Sequence, residues 1–538
     1  MRITYNDKLN KLLNPYLESL LKEKSSLEPE TLTLFDLFME DLDIGGRYGI
    51  FSEILEPRLE EIIREENIES IANLMDGRLN TLFRYMLGDE FAGLFHTYLQ
   101  LEARCPHTIG YDRRAQRSAN PSNHLDHARD AWLQFLKLRA TGFSVEAILK
   151  GGNTPEDTEE FSGYMNSSYW LAAQIAQGNE KVIEYLNQVL TSENNVHRLQ
   201  RWYLHAIAIS GYRPLLELEG KLLLAAKLQE GLRQAIVETM DEGCPESYLY
   251  LFSIIYNNGL QRFASVKRSI AVCTGIGEQD SSERITNKYV ELIWNFLNHP
   301  ETARNTLQSK DTVELYLALW SIGFYDTDEI RAIVPDIIRK GAKHQIQTLL
   351  YFLRCTQSSQ MNHLISKDAF EVWHDDPKVV AAILPLYMDG LYLSRYSDNK
   401  EAPTLSDYFE SPEEAVRHYG YLKQVYQSIS AKEIYSPYVF PWDCVVLTRS
   451  DVVHKMAYIA WMTNDIRLRE ELCTYLPALE SYSRASYIGI VLAHTESKVE
   501  QEYVLQSLGD RSSDIRDEAY KVCLLYTSDA ADDRISVD

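Results

Sequence analysis

The chain has 538 residues, of which 45% are hydrophobic and 25% are charged. A single hydrophobic core stops growing at roughly 250–300 residues, so a chain of this length either contains several domains or grows by repetition of one unit. The 54 lysines and arginines are outnumbered by 78 aspartates and glutamates, which gives a formal charge of −24. This excess of negative charge disfavours nucleic acid as a ligand of the whole chain.

The seven cysteines are far apart and never form a CxxC pair. That distribution argues against a disulfide framework and fits a reducing cytosol. The amino terminus lacks the apolar region of a signal peptide, and no apolar run approaches the roughly 18 residues that a membrane-spanning helix needs. We therefore expect a cytoplasmic protein.

The first part of the chain, residues 1–104, shows apolar residues at helical spacing. The pattern predicts helices near 6–22, 29–42, 48–65 and 78–101. We interpret this region as a helical cap on a longer array.

A polar stretch after the cap contains the most metal-like group of residues. Cys105, His107, His124 and His127 offer one thiolate and three imidazoles, which are ligands that hold Zn²⁺ in proteins. Their spacing differs from that of common zinc modules. His124 and His127 also fit the first turn of a helix, which explains them without a metal, so the four residues are kept as candidate ligands only.

The same stretch contains the basic cluster Arg113, Arg114 and Arg117, and a smaller cluster follows at Lys267 and Arg268. Guanidinium and ammonium groups bind phosphates and carboxylates. Either cluster is therefore a candidate contact for an anion or an acidic partner, and a solvated loop is the alternative interpretation.

From about residue 196 the predicted helices fall into consecutive pairs. The first helices of these pairs are predicted to begin near Pro214, Glu246, Arg284, Asp311, Ala342 and Asp376. The starts lie roughly 26–39 residues apart, which is the range of helical-hairpin repeats. We therefore predict an all-α fold, an α-solenoid of irregular HEAT- or armadillo-like helix pairs, with a helical-repeat array over residues 124–393.

Some local signals within the array have two interpretations. The segment Val313–Trp320 is apolar on nearly every face, which predicts a helix in the inner layer of a stack. Trp373–Asp376 could hold an acid–base pair, but its aspartates precede Pro377 and a helical stripe, so helix capping is the simpler account. The best strand candidate, Val445–Thr448, is short.

Residues 411–522 are predicted to form a second group of helical repeats. Within them, Asp510–Ala519 resembles the second half of a HEAT unit, in which an Asp and an Arg on successive turns tie neighbouring repeats together. Residues 523–538 resemble a translated sequencing adapter. We interpret them as a non-native tail and expect the natural protein to continue past Val522.

The segments Ser265–Cys273 and Glu314–Phe324 resemble the helical amino-terminal region of large uncharacterised bacterial proteins that end in a MolR-like domain of unknown function. The resemblance covers about residues 1–522. It implies a long helical-repeat region ahead of a separate carboxy-terminal domain, and it implies no catalytic residues within the repeats.

The sequence contains no Gly-rich phosphate loop, no GxSxG and no HExxH motif. We therefore expect no enzyme activity in this fragment and no cofactor. The predicted function is a non-catalytic scaffold that binds a protein or peptide partner. The alternatives are the regulatory arm of an enzyme whose active site lies in a missing carboxy-terminal part, and a helical-repeat nucleic-acid binder that uses the arginine cluster.

Overall fold

The part of the chain that a computed structural model describes is built from helices. The described stretches are residues 7–44, 56–68, 71–104, 167–191, 199–225, 230–240, 243–275, 286–325, 327–356, 359–388, 404–431 and 446–535, with Leu391 and isolated positions between 132 and 145. Within them the fold is all-α, without a strand. Of the helices in these stretches, none is both long and apolar enough to cross a membrane.

The chain divides into two compact units. The first contains Met1–Thr306 and Leu317–Asp328, and the second contains Leu307–Tyr316 and Glu329–Asp538. The described helices of the first unit are α1 (Asp7–Glu23), α2 (Pro29–Ile44), α3 (Glu56–Glu65), α4 (Arg78–Ala103), α5 (Ser167–Ala176), α6 (Glu180–Thr191), α7 (Arg201–Ser210), α8 (Arg213–Leu224), α9 (Glu230–Thr239), α10 (Pro245–Asn257), α11 (Ala264–Cys273), α12 (Asn287–Asn298) and α13 (Pro300–Thr306).

The helix α14 (Thr312–Tyr325) contributes residues to both units. The helices that follow it are α15 (Thr327–Lys340), α16 (Lys343–Thr356), α17 (Ser359–Trp373), α18 (Pro377–Ile383), α19 (Pro412–Ser428), α20 (Arg449–Thr463), α21 (Ile466–Leu472), α22 (Ser481–Ile490), α23 (Lys498–Ser507) and α24 (Ser513–Ile535). Helices begin within three residues of all six starts that the sequence predicts, so those positions are confirmed.

From α5 to α12 in the first unit, each helix packs on the helix two positions along the chain. Helix α5 packs on α7, α7 on α9 and α9 on α11. The intervening helices do the same, because α6 packs on α8, α8 on α10 and α10 on α12. Alternate helices therefore form two rows, and each row covers an apolar face of the other.

Aromatic side chains fill the core of this unit. The ring of Phe83 lies 5.1 Å from that of Phe95 and 6.3 Å from that of Trp132, measured between centroids. Farther along, Trp320 of α14 lies 5.8 Å from Tyr248 of α10. The segment Leu315–Trp320 is buried on every face, as its all-round apolar sequence requires; its place in the inner layer of a stack stays a prediction.

The short strand candidate is wrong for its described residues, Val446–Thr448. Thr448 has extended backbone angles because it is the N-cap of α20. Its hydroxyl accepts a hydrogen bond from the Asp451 amide, and the Asp451 carboxylate accepts one from the Thr448 amide. This capping box uses the β-branched residue to start a helix.

In the second unit, ion pairs join alternate helices. Arg469 of α21 donates two hydrogen bonds of 2.9 and 2.8 Å to the carboxylate of Glu500 on α23. Arg484 of α22 donates to Asp510, which precedes α24, at 2.7 Å. Asp510 therefore joins neighbouring helix pairs, whereas Arg516 donates only to the nearby carbonyls of residues 510 and 511.

The Arg469–Glu500 pair provides a test of this packing. The Glu500 side chain is 0% exposed and that of Arg469 is 13% exposed. Arg469→Met should lower the free energy of unfolding by about 3–5 kcal/mol, because it leaves a buried carboxylate without its cation. Urea denaturation measures this loss.

The matched control is Arg467→Met, in the same helix, because the Arg467 side chain is 86% exposed. Exposed ion pairs contribute little to stability, so this variant should unfold like the unmodified chain. Equal effects of the two substitutions would contradict the importance of the α21–α23 contact.

Candidate functional site

The metal-like residues and the arginine cluster lie outside the described residues, so these candidates stay predictions. They are Cys105, His107, Arg113, Arg114, Arg117, His124 and His127. The tail interpretation also stays a prediction; α24 runs through Val522 to Ile535, and Tyr526 donates a hydrogen bond to the Leu492 carbonyl.

The Trp373–Asp376 segment starts a helix, as the capping account predicts. Asp376 is the N-cap of α18, and its Oδ1 accepts hydrogen bonds from the amides of Lys378 at 2.9 Å and Val379 at 3.4 Å. Lys343 also contacts both Asp376 oxygens, at 2.8 and 2.6 Å. These contacts lower the Asp376 pKa against the opposing effect of burial. Asp376 therefore acts as a cap and an ion-pair partner.

A polar cluster joins α17 to α19, and the sequence analysis missed it. Three pairs of side chains meet between the helices: Lys367 with Glu414, Glu371 with His418, and His374 with Tyr421. In every pair the partners are 47 residues apart, as for Glu371 and His418. The chain therefore runs in the same direction in both helices. The sequence signal that could have revealed the polar cluster is the shared i, i+4, i+7 spacing of these residues, which places them on one face of each helix.

The first pair of this polar cluster is largely buried. The Lys367 Nζ lies 3.1 Å from Glu414 Oε1, and the side chains are 9% and 14% exposed. The other Glu414 oxygen accepts a hydrogen bond of 2.6 Å from the Glu410 amide. Burial raises the Glu414 pKa, but the amide and Lys367 outweigh it and hold that pKa below its usual value.

The imidazole of His418 is fully buried and bonded on both nitrogens. Its Nε2 donates to Glu371 Oε1 at 3.0 Å, and its Nδ1 accepts from the Tyr387 hydroxyl at 2.9 Å. Burial lowers the His418 pKa, although the charge of Glu371 opposes that shift. The ring is therefore a neutral link between a tyrosine and a carboxylate.

The carboxylate of Glu371 also receives bonds from the surface side of the polar cluster. Arg417 donates to Oε1 at 3.1 and 2.7 Å, and Tyr421 donates to Oε2 at 3.1 Å. Burial raises the Glu371 pKa, but the Arg417 hydrogen bond and the neighbouring His418 outweigh it and lower that pKa. Each carboxylate of the cluster thus has its own cation.

A second buried histidine links the two ends of a neighbouring segment. The His363 Nδ1 accepts from the Met388 amide at 2.8 Å, and its Nε2 donates to the Tyr408 carbonyl at 2.8 Å. Met388 has a positive φ of 51°, a backbone conformation that residues other than glycine rarely adopt. The hydrogen bond from its amide helps to hold it there. Burial lowers the His363 pKa to about 4.

Three groups of the polar cluster have the geometry of metal ligands. Ligand atoms of Glu371, Glu414 and His418 lie within 4.8 Å of one another. However, Arg417 and Lys367 already balance the two carboxylates, and the His418 Nε2 is used for its bond to Glu371. A divalent cation would have to displace these partners, so the donor set fits an ion-pair network better than a metal centre.

The arrangement is also poorly suited to catalysis. A catalytic acid or base must reach the reacting group of a substrate, whereas Tyr387 and His418 are both fully buried. Their hydrogen bonds are made within the protein. The polar cluster therefore has a structural role, which is to hold α17 and α19 in one register.

Residues 34–532 match the model of a family of unknown function, DUF5724. The chain belongs to this family. No curated protein and no solved structure matches the chain. The part of the DUF5724 match after Val522 lies in the segment that we interpret as adapter-derived.

The buried Lys367–Glu414 pair gives a second prediction. Lys367→Met should destabilise the chain by about 2–3 kcal/mol, because Glu414 then lacks its cation but keeps the Glu410 amide. Adding Glu414→Gln should recover at least about 1 kcal/mol, since the uncompensated charge is gone. A double-mutant cycle in urea measures both.

The exposed pair Lys340–Asp336 is the control, because its side chains are 76% and 73% exposed. Lys340→Met should leave the unfolding midpoint unchanged. If the double variant were as unstable as the sum of its single variants, the pair would not be coupled.

The lowered pKa of His363 predicts that the folded chain loses stability in acid. Its pKa is about 4 in the folded chain against the ordinary 6.5, so the unfolded chain takes up a proton first as the pH falls. Between pH 7.5 and 4.5 this difference should remove about 2–3 kcal/mol of unfolding free energy. Loss of charge on Glu371 and Glu414, whose pKa values are lowered, acts in the same direction at lower pH.

Replacing His363 by Gln, which does not titrate, should reduce this pH dependence whatever its effect at neutral pH, while buried His454, whose pKa is also lowered to about 4, keeps its share. The control is His299→Gln, at a side chain that is 63% exposed, and it should behave like the unmodified chain. Urea midpoints across the pH range give the comparison. An unchanged slope in His363→Gln would show that other groups cause the acid sensitivity.

Proposed function

We propose that this chain is a non-catalytic helical-repeat scaffold that binds a protein or peptide partner. The observation that carries the proposal is the packing between α5 and α12, where each helix contacts the helix two positions away in the chain. This is the contact pattern of stacked helix pairs, in which a unit touches only its neighbours. Stacks of this kind present extended surfaces for recognition.

The polar contacts of the second unit support the same proposal. The 47-residue spacing between α17 and α19 lies at the upper end of the HEAT and armadillo period, about 40–47 residues. Lys423 of α19 pairs with Glu471 of α21, and Arg469 of α21 pairs with Glu500 of α23. Alternate helices are thus tied in succession, as in an irregular solenoid of the HEAT or armadillo type.

Two further observations are consistent with a scaffold in the cytoplasm. The described cysteines that precede the tail, Cys244, Cys273 and Cys473, are free thiols, as is usual for proteins of reducing compartments. The best-formed group of titratable residues is used to join helices and is closed to substrate. We also propose that this chain corresponds to the helical amino-terminal region of bacterial proteins that carry a MolR-like domain.

Small-angle scattering tests the architecture. A globular protein of this length should have a radius of gyration of about 24 Å. A solenoid of helix pairs is longer than a globule, so we expect about 30 Å or more. A value near that of a globule would contradict the solenoid.

Cross-linking in the cells that encode the protein tests the function. With a tagged chain, we expect one or a few proteins in near-stoichiometric amounts, with the cross-linked lysines grouped on one face of the helix rows. Cross-links spread evenly over all faces would contradict a docking role. Turnover of a substrate by the purified chain would contradict a non-catalytic one.

A further inference from the structure

Two arginine side chains stack on one aromatic ring where α11 begins. The guanidinium of Arg233, on α9, lies 4.3 Å from the centroid of the Phe263 ring. The guanidinium of Arg262 lies 4.8 Å from the same centroid. Lys267 and Arg268 follow on the first turns of α11. We call Arg233, Arg262, Phe263, Lys267 and Arg268 the Phe263 cluster.

The four cations of the Phe263 cluster have no acidic partner among the described residues. Arg262 contacts only the carbonyls of Asn258 and Gly259, at 3.4 and 3.5 Å, and Arg233 contacts only that of Ala225, at 3.4 Å. These are long hydrogen bonds. In a chain of net charge −24, four cations of this short stretch and its neighbour α9 without a carboxylate partner in the described part of the chain are unusual.

Polar atoms within and beside the Phe263 cluster also lack partners. The Nε atoms of Arg233 and Arg268 are shielded from solvent and make no hydrogen bond. The buried Gln261 Oε1 and Ser265 Oγ, next to the cluster in sequence, have none either. A shielded donor without an acceptor costs free energy. The unpaired Nε atoms show that the hydrogen-bonding capacity of Arg233 and Arg268 is only partly used within the described residues.

The ring of Phe263 gives these cations a defined place. A guanidinium within about 6 Å of a ring centroid is attracted to the aromatic face. Stacking on Phe263 therefore restrains Arg233 and Arg262 without using their N–H groups. The outer N–H groups of these guanidiniums, rather than the shielded Nε of Arg233, are the donors that a ligand would meet, and the amino-terminal end of α11 adds a favourable potential for negative charge.

We propose that the Phe263 cluster binds a phosphate group carried by a protein partner. The inference rests on the scaffold function proposed above and specifies the chemistry of its ligand. Guanidinium forks match phosphate oxygens in pairs, and a phosphate carries more charge and more acceptor oxygens than a carboxylate. Three guanidiniums and one ammonium suit such a dense acceptor.

A partner protein fits these observations better than a nucleic acid. Affinity for nucleic acid grows with the number of phosphates that are neutralised, and this cluster offers four cations on a chain that is otherwise strongly acidic. A long polyanion would meet repulsion outside the cluster. A single phosphorylated side chain needs only the local positive potential.

The test measures binding of a fluorescein-labelled pool of phosphoserine peptides of degenerate sequence by anisotropy, with the full chain. We expect saturable binding that is at least about tenfold tighter than that of the same pool without phosphate. Inorganic phosphate should compete at millimolar concentration. Arg233→Gln and Arg268→Gln should each weaken binding by about tenfold or more, and Arg268→Lys should restore part of the loss, because it keeps the charge but not the fork.

The matched control is Arg213→Gln. Arg213 also lies over an aromatic ring, at 3.9 Å from the Tyr250 centroid, but it is paired with Glu217. This variant should bind the phosphopeptides like the unmodified chain. Thermal unfolding of all variants shows whether they are folded, and Arg268→Lys provides the comparison if a glutamine variant is not.

Three results would overturn the inference. The first is equal binding of the phosphorylated and unphosphorylated pools, and the second is binding of inorganic phosphate without binding of the peptides. The third is tighter binding of a 20-nucleotide RNA than of the peptides. Cross-linking to a defined partner in cells, together with any of these results, would leave the scaffold proposal standing and reject only its phosphate chemistry.

Discussion

The apolar face of a helix must be covered by a neighbour, and from α5 to α12 that neighbour is the helix two positions along the chain. These helices form two rows in this way. Burial on every side, as for Leu315 to Trp320 of α14, is what an all-round apolar helix requires. Hydrophobic burial supplies most of the stabilisation of such a stack.

Apolar packing alone leaves the register of one helix on the next poorly defined. In the second unit, polar contacts define it. Lys367 meets Glu414, and Glu371 meets His418, with the same spacing in both cases. A shift of α19 along α17 by one turn would leave each of these buried groups without a partner, which costs more than the pair contributes. Buried ion pairs and histidines therefore select one arrangement among several with similar apolar contacts.

Titratable residues of the second unit are used to join helices in its interior. The His418–Glu371 link and the Arg469–Glu500 pair are satisfied within the protein. The cations of the Phe263 cluster have no acidic partner among the described residues. The scaffold that we propose would use both kinds of group, the first to hold helices together and the second to meet a ligand. Membership of a family of unknown function is compatible with the scaffold function that we propose.

Local features of the fold were predictable from the sequence. The helix starts at Arg213, Pro245, Thr312 and Lys343 followed from apolar spacing and capping residues, and the cap role of Asp376 followed from the residues beside it. These features depend on contacts within one or two turns, which the sequence displays directly.

The polar cluster between α17 and α19 depended instead on tertiary structure. Its partners are 47 residues apart, and nothing in the spacing of either helix says which neighbour it will meet. The same holds for Arg233, which reaches Phe263 from another helix. By itself the sequence determined the helices, their order and their apolar faces. Only the packing of the chain decided which charged residues were paired inside it, because that depends on distances between helices that are far apart in sequence.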